Sequence, residues 1–178
     1  ATKKWNGKTW ALPVTEGGPW PLMSWHKRYF EAAGLPDRGP ASWEEAIDWG
    51  TKLTTYDDAG NIDVEGYDPL DSIGQGLAFW SMAFQSDILD EEKTTMKFDT
   101  GNWVRALEVI RTIYQELGVE KMAAHKQAWG YWTGHQSGFP NGKRAMLVNG
   151  YWQPGEFKSV LADQTWEIGY DYPPCIDE

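Results

Sequence analysis

The sequence predicts an α/β lobe: a small mixed sheet surrounded by helices, helix-rich overall. Three observations carry that expectation. Capped segments of helix length, each with a single apolar stripe, dominate the chain. Apolar runs of strand length are few and lie near both ends and in the middle, a pattern that suits a sheet wrapped by helices. A chain of 178 residues is long enough for one domain with a core of two or three layers.

In chain order, Thr9-Trp10-Ala11-Leu12-Pro13-Val14 reads as a strand, entered directly from Gly7-Lys8, that ends or bulges on Pro13. A Gly-Gly-Pro loop follows, then a short strand over Leu22-Met23-Ser24-Trp25. A helix is predicted from His26 to Ala33, stopped by Gly34. Ser42-Trp43-Glu44-Glu45 is a capping box, with Ser42 as N-cap and Glu45 reaching back to its amide. The helix it opens repeats Trp43, Ala46, Ile47, Gly50 and Leu53 at spacings of three and four. Residues 54–69 are polar and predict a surface loop with room for one short strand.

Ser72 to Ser86 is apolar on most sides and of helix length, and Asp90-Glu91-Glu92-Lys93 reads as a charged turn. Thr100 caps the clearest helix, with Trp103, Leu107, Ile110, Ile113, Tyr114 and Leu117 on one face and Gly118 at its end. Val119 to Ala128 continues as a second helix or turn. Ala145 to Val148 is a strand, broken by Asn149-Gly150 before Tyr151 and Trp152. A short helix over Glu156 to Ala162 and a strand over Trp166 to Tyr170 complete the pattern.

Composition narrows the function. There are 12 Trp, 8 Tyr and 6 Phe, more indoles than one core needs, so some are expected to line a cleft. A net charge of -10 argues against nucleic acid and against an anionic membrane surface as partners. Cys175 is the only cysteine, which excludes an intrachain disulfide and a thiolate metal site. No run approaches the roughly 18 apolar residues of a membrane span, and Ala1 to Trp5 lacks the apolar stretch of a signal peptide. The abrupt opening and close predict a piece of a longer protein.

Catalytic constellations are not apparent. His125 and His135 are ten residues apart with no carboxylate at ligand spacing, and read as surface or cleft residues. No nucleophile elbow or phosphate loop is present. Asp87, Asp90, Glu91 and Glu92 cluster, but nothing buries one carboxylate and exposes another, as paired acid and nucleophile require. The strongest local feature is Ala145-Met146-Leu147-Val148-Asn149-Gly150-Tyr151-Trp152. It sets an indole at the carboxyl end of a strand, where open α/β sheets hold ligands and where a flat amphipathic ring can stack on a sugar.

Four stretches, in this order and spacing, resemble the extracellular solute-binding proteins of ABC transporters, the class that includes maltodextrin and other sugar binders. They are Gly7-Lys8-Thr9-Trp10-Ala11-Leu12-Pro13, Trp25-His26-Lys27-Arg28-Tyr29-Phe30-Glu31-Ala32-Ala33-Gly34-Leu35, Pro40-Ala41-Ser42-Trp43-Glu44-Glu45 with Lys52-Leu53-Thr54, and Gly142-Lys143-Arg144-Ala145-Met146-Leu147-Val148-Asn149-Gly150-Tyr151-Trp152. His26, where the family usually has Asn, and Pro19-Trp20-Pro21 depart from the pattern.

The resemblance implies one lobe of a two-lobe clamshell: residues 1–178 match roughly the C-terminal lobe, with the other lobe absent. It implies a substrate-binding component that captures a carbohydrate in an aromatic-lined cleft and delivers it to a membrane permease. It further implies an extracytoplasmic location, a monomer, no cofactor, no metal and no catalysis. By position Trp152 matches a family aromatic that stacks on sugar, and Trp80 and Gln75 are carried over from the cleft-facing helix. On physical grounds Trp129, Tyr131 and Trp132 border the cleft, while Glu16 and Trp20 fall at the hinge and rim. Gln75, Glu16 or Asn149 would meet sugar hydroxyls, and Trp43, Trp103 and Trp166 are expected in the core. Peptides and polyamines remain open as ligands. A stand-alone carbohydrate-binding module and a glycosidase fragment are the rival readings.

Overall fold

The computed structural model describes residues 3–11, 21–70, 79–80, 83–86, 94–97, 101–130, 137–160 and 167–174. Its organising element is a three-stranded sheet in which β3 (Pro21–His26) lies between β6 (Met146–Gly150) and β7 (Ile168–Asp171). Both pairings are antiparallel, with Pro21 opposite Gly150, Trp25 opposite Met146 and Trp25 opposite Gly169. The one parallel pairing among the described residues is an isolated bridge between Glu65 and Arg144. The expected mixed character therefore resides in that bridge, and the ladder itself is antiparallel.

Alternation along these strands builds a core on each face. Met23 and Trp25 of β3 join Met146 and Val148 of β6 in the main core. Leu147, on the opposite face of β6, packs with Phe139 and Phe157 in a smaller cluster against which Ile168 rests. Ser24 and His26 are buried as well. His26 is held by a 2.7 Å hydrogen bond from Nε2 to the Phe139 carbonyl and by stacking on the Phe139 ring.

Two short hairpins form separate two-stranded sheets. β1 (Lys3–Trp5) and β2 (Lys8–Ala11) pair across Asn6-Gly7, both at positive φ (49° and 72°), the geometry an Asn-Gly hairpin turn needs. The strand expected after Gly7-Lys8 is thus the second arm of a hairpin. β4 (Thr55–Tyr56) and β5 (Ile62–Val64) form the other, around a turn in which Asp57 Oδ1 accepts the Ala59 and Asn61 amides at 2.9 and 2.8 Å. The polar stretch expected at the surface instead turns inward after Gly60: Ile62, Val64, Glu65, Tyr67 and Asp68 are all buried.

Helices cover the sheet: α1 (Lys27–Ala32), α2 (Trp43–Leu53), α3 (Gly101–Leu117), α4 (Val119–Trp129) and α5 (Gln153–Val160). Phe79, Trp80 and Ala83 are helical too. α1 ends before Gly34 at φ 67°, as its sequence requires. Ser42 caps α2 by accepting the Glu45 amide at 3.1 Å, while Glu45 returns to the Ala41 amide rather than to Ser42 and also binds Arg38 with both oxygens at 2.8 Å. The buried stripe of α2 gains Trp49 over the expected set. That of α3 runs through Trp103, Ala106, Val109, Ile113 and Leu117, leaving Leu107 on the outside. α5 starts three residues earlier than its sequence pattern implied, because Pro154 falls in a first turn whose amides have no helical partner.

Candidate functional site: an aromatic shelf at the end of β6

Asn149 and Gly150 do not break the strand. They complete β6, pairing with Leu22 and Pro21, so the end of β6 and the start of β3 coincide at one edge of the sheet. Asn149 turns its side chain back on itself, its Oδ1 accepting the Gly150 amide at 2.7 Å. The chain then turns through Tyr151 and Trp152, whose carbonyl accepts the Gly155 amide at 3.0 Å and so opens α5. Gln153 is buried beneath, its Oε1 accepting a 2.7 Å hydrogen bond from the Ser24 hydroxyl of β3. This bond locks the start of α5 to the central strand.

Tyr151 and Trp152 are both partly exposed, with ring centroids 5.5 Å apart and planes at 76°. One ring thus forms a floor and the other a wall. Beside them the amide nitrogens of Asn149 and Gln153 are buried without a hydrogen-bond partner among the described residues. Asn149, expected to meet sugar hydroxyls, is itself only 1% exposed and supports the shelf from below.

The remaining candidates are distributed differently. Trp80 is 2% exposed and packs against Trp43, Phe79 and Phe84, with the Trp43 centroid 4.7 Å away. Its place is the main core, which corrects its assignment to a cleft surface. The core takes Trp25, Trp43, Trp49, Trp80 and Trp103, five of the twelve indoles, so the aromatic surplus in the composition is partly structural. Trp129 ends α4, partly exposed, with Lys143 Nζ 5.6 Å from its ring centroid. Lys143 precedes β6 and Trp152 follows it, so that strand separates the two indoles. Glu16, Trp20, Gln75, Tyr131 and Trp132 lie outside the described residues, as do His135, Cys175, Trp166 and the acidic run 87–93.

A buried charged cluster joins the N-terminal side of β6 to the helices. Arg144 Nε and Nη2 donate to Glu65 Oε2 at 3.1 and 2.9 Å, and His125 Nδ1 donates to the same oxygen at 3.0 Å. Glu65 and Arg144 side chains are each 1% exposed. Burial pushes the Glu65 carboxyl up, yet the Arg144 charge and the His125 bond outweigh it and hold Glu65 below the usual carboxylate range. Asp68, which accepts the Tyr114 hydroxyl at 2.8 Å, is pushed up to about 6, first by burial and then by the Glu65 charge. His125 is therefore a buried structural partner, not a surface or cleft residue. Nothing local in the sequence announced this cluster, since its members are 60 and 79 residues apart.

Among the described residues no group of three or more His, Cys, Asp or Glu could hold a metal ion, and no helix is long and apolar enough to cross a membrane. A groove of about 270 Å³ runs between α2 and α3, floored by Ile47 and Val109 and rimmed by Glu44, Asp48, Lys52 and Glu116. It contains none of the aromatic candidates.

Sheet, helices and aromatic shelf together define a periplasmic-binding-protein-like lobe, and comparison with known proteins agrees. The family of bacterial extracellular solute-binding proteins matches residues 1–176, and the chain belongs to it. No curated protein matches the chain. Among solved structures, a protein called CpMnBP1 with mannobiose bound is similar at 20% identity and a TM-score of 0.80, over 97% of this chain and 43% of that one. The ABC substrate-binding protein Lmo0181 from Listeria monocytogenes, in complex with cycloalternan, is 17% identical with a TM-score of 0.63 over 98% and 42%. A cyclic alpha-maltosyl-1,6-maltose binding protein from Arthrobacter globiformis is 22% identical with a TM-score of 0.58 over 96% and 40%. The chain spans about two fifths of the length of these structures.

Proposed function

We propose that this chain is one lobe of a two-lobe binding protein that captures a carbohydrate, an oligosaccharide above all, and hands it to an ABC permease in the membrane. The observation that carries the reading is the partly exposed Trp152 indole just beyond the end of β6, with Tyr151 standing edge-on beside it. A flat indole contributes contact area to the apolar face of a pyranose, and an adjoining wall limits how the ring lies. Solved structures of the same fold carry mannobiose and cycloalternan, which favours a sugar over a peptide or a polyamine.

In this reading the second lobe supplies the other side of the cleft. Ligand stabilises the closed form because only there do both lobes touch it. Glu16, Trp20, Gln75, Tyr131 and Trp132 remain proposed contributors to the rim, as does Trp129 for a ligand long enough to pass β6. Ligand capture without turnover needs no catalytic group, and a single lobe acts as a monomer with half a site. The test is an indole NMR titration of the chain with mannobiose, maltotriose and spermidine, followed by analysis of the sugar. Movement of the Trp152 indole with intact sugar supports the reading. Hydrolysis of the sugar, or a response to spermidine alone, refutes it.

A further inference from the structure

Gly150 is the position at which β6 meets Trp152 most closely. A Cβ placed there would overlap three consecutive atoms of the Trp152 six-membered ring, Cζ2, Cη2 and Cζ3, at near-equal separations. A point off the edge of a ring is close to one atom and farther from its neighbours. Near-equal approach to three in a row arises only above the ring face. The indole therefore lies face-on over the bare Cα of Gly150. Alternation along β6 places Gly150 on the same face as Met146 and Val148, so the ring continues the packed surface of the strand to its end.

Among the described residues the same device occurs once in the interior. Gly169 of β7 lies opposite Trp25 of β3, and a Cβ on it would overlap Cε2, Cζ2 and Nε1 of that indole. Trp25 is 3% exposed, and its Nε1 donates to Asp37 at 3.1 Å, so there the seat serves only packing. At Gly150 the seated indole belongs to a residue that, unlike Trp25, is partly exposed.

From this contrast the geometry points to Gly150 as a positioning residue for ligand, an inference that rests on the carbohydrate reading of Trp152. Its missing side chain seats one face of the indole and fixes its depth, leaving a single face for one sugar ring. Carbon atoms pack best at about 3.5–4.0 Å, so a methyl group at residue 150 must lift the ring by on the order of 1 Å. A stacked sugar wedged beside Tyr151 does not tolerate that shift, and the Gly150→Ala chain is expected to bind at least tenfold more weakly.

The experiment combines two readouts on the chain. The first needs no ligand: an indole face over Gly150 moves its Hα resonances well upfield, and Trp152→Ala returns them to the usual glycine range. Ordinary Hα positions in the unsubstituted chain overturn the inference whether or not sugar binds. The second is mannobiose affinity across Gly150→Ala, Trp152→Ala and the double variant. A residue that acts only through the indole adds nothing once the indole is gone, so the double variant should match Trp152→Ala. A Gly150→Ala chain that binds as tightly as the parent, or a double variant much weaker than Trp152→Ala, overturns the positioning role. Upfield Hα signals with no sugar binding, by this chain or by the two-lobe protein, refute the carbohydrate reading and the positioning role with it, and leave only the seat.

Discussion

Replacing Asp68 by Asn is expected to expose a pH dependence of stability that the parent chain conceals. Two buried groups set opposing slopes. His26 is brought down from 6.5 to about 4, chiefly by burial, with its bond to the Phe139 carbonyl acting against the shift and the Arg28 charge acting with it. Between those values the unfolded chain holds a proton that the folded chain refuses, so stability rises with pH from about 4 to 6.5. Asp68 is pushed the other way, from 3.8 to about 6, by burial and by Glu65. There the folded chain holds the extra proton, so stability falls as pH rises from 3.8 to about 6. At about 1.4 kcal/mol per pH unit, His26 contributes roughly 3 kcal/mol and Asp68 a similar amount of opposite sign. Over the shared window they nearly cancel. Asp68→Asn keeps an acceptor for Tyr114 and removes the buried charge. The variant is expected to be more stable than the parent above pH 6 and to gain about 3 kcal/mol between pH 4 and 6.5. Urea denaturation of both chains at half-unit pH steps measures the difference, in which titrating groups that do not interact with Asp68 cancel. Parallel stability profiles for the two chains refute the reasoning.

Other substitutions probe separate parts of the account. Arg144→Met leaves Glu65 buried with His125 as its one side-chain partner among the described residues and is expected to cost about 3–5 kcal/mol, read from the urea midpoint. Ser42→Ala removes the cap of α2 and is expected to cost about 1 kcal/mol by the same measurement, with the aromatic shelf unchanged.

Much of the architecture was legible because it rests on local chemistry. Ser42 and Glu45 marked the start of α2, Gly34 and Gly118 marked helix ends, and turn residues bounded β6. Local signals fail where partners distant in sequence decide. Residues 62–68 look polar, yet Glu65 is buried because Arg144 and His125 meet it across the fold. Asn149-Gly150 resembles a strand break, yet both residues find ladder partners in Leu22 and Pro21. Trp80 shares an apolar helical segment with no feature that separates core from cleft, and only packing against Trp43 and Phe84 decides it. At the shelf, the Asn-Gly-Tyr-Trp order was visible in the sequence. The contact between Gly150 and the indole was not, because it depends on the turn that folds Trp152 back over the strand.

Calorimetric titration of mannobiose into the parent chain and into Trp152→Ala tests the central claim most directly. Saturable binding by the parent, weakened at least tenfold by the substitution, is expected, with the sugar recovered intact. Equal binding by the two chains contradicts it.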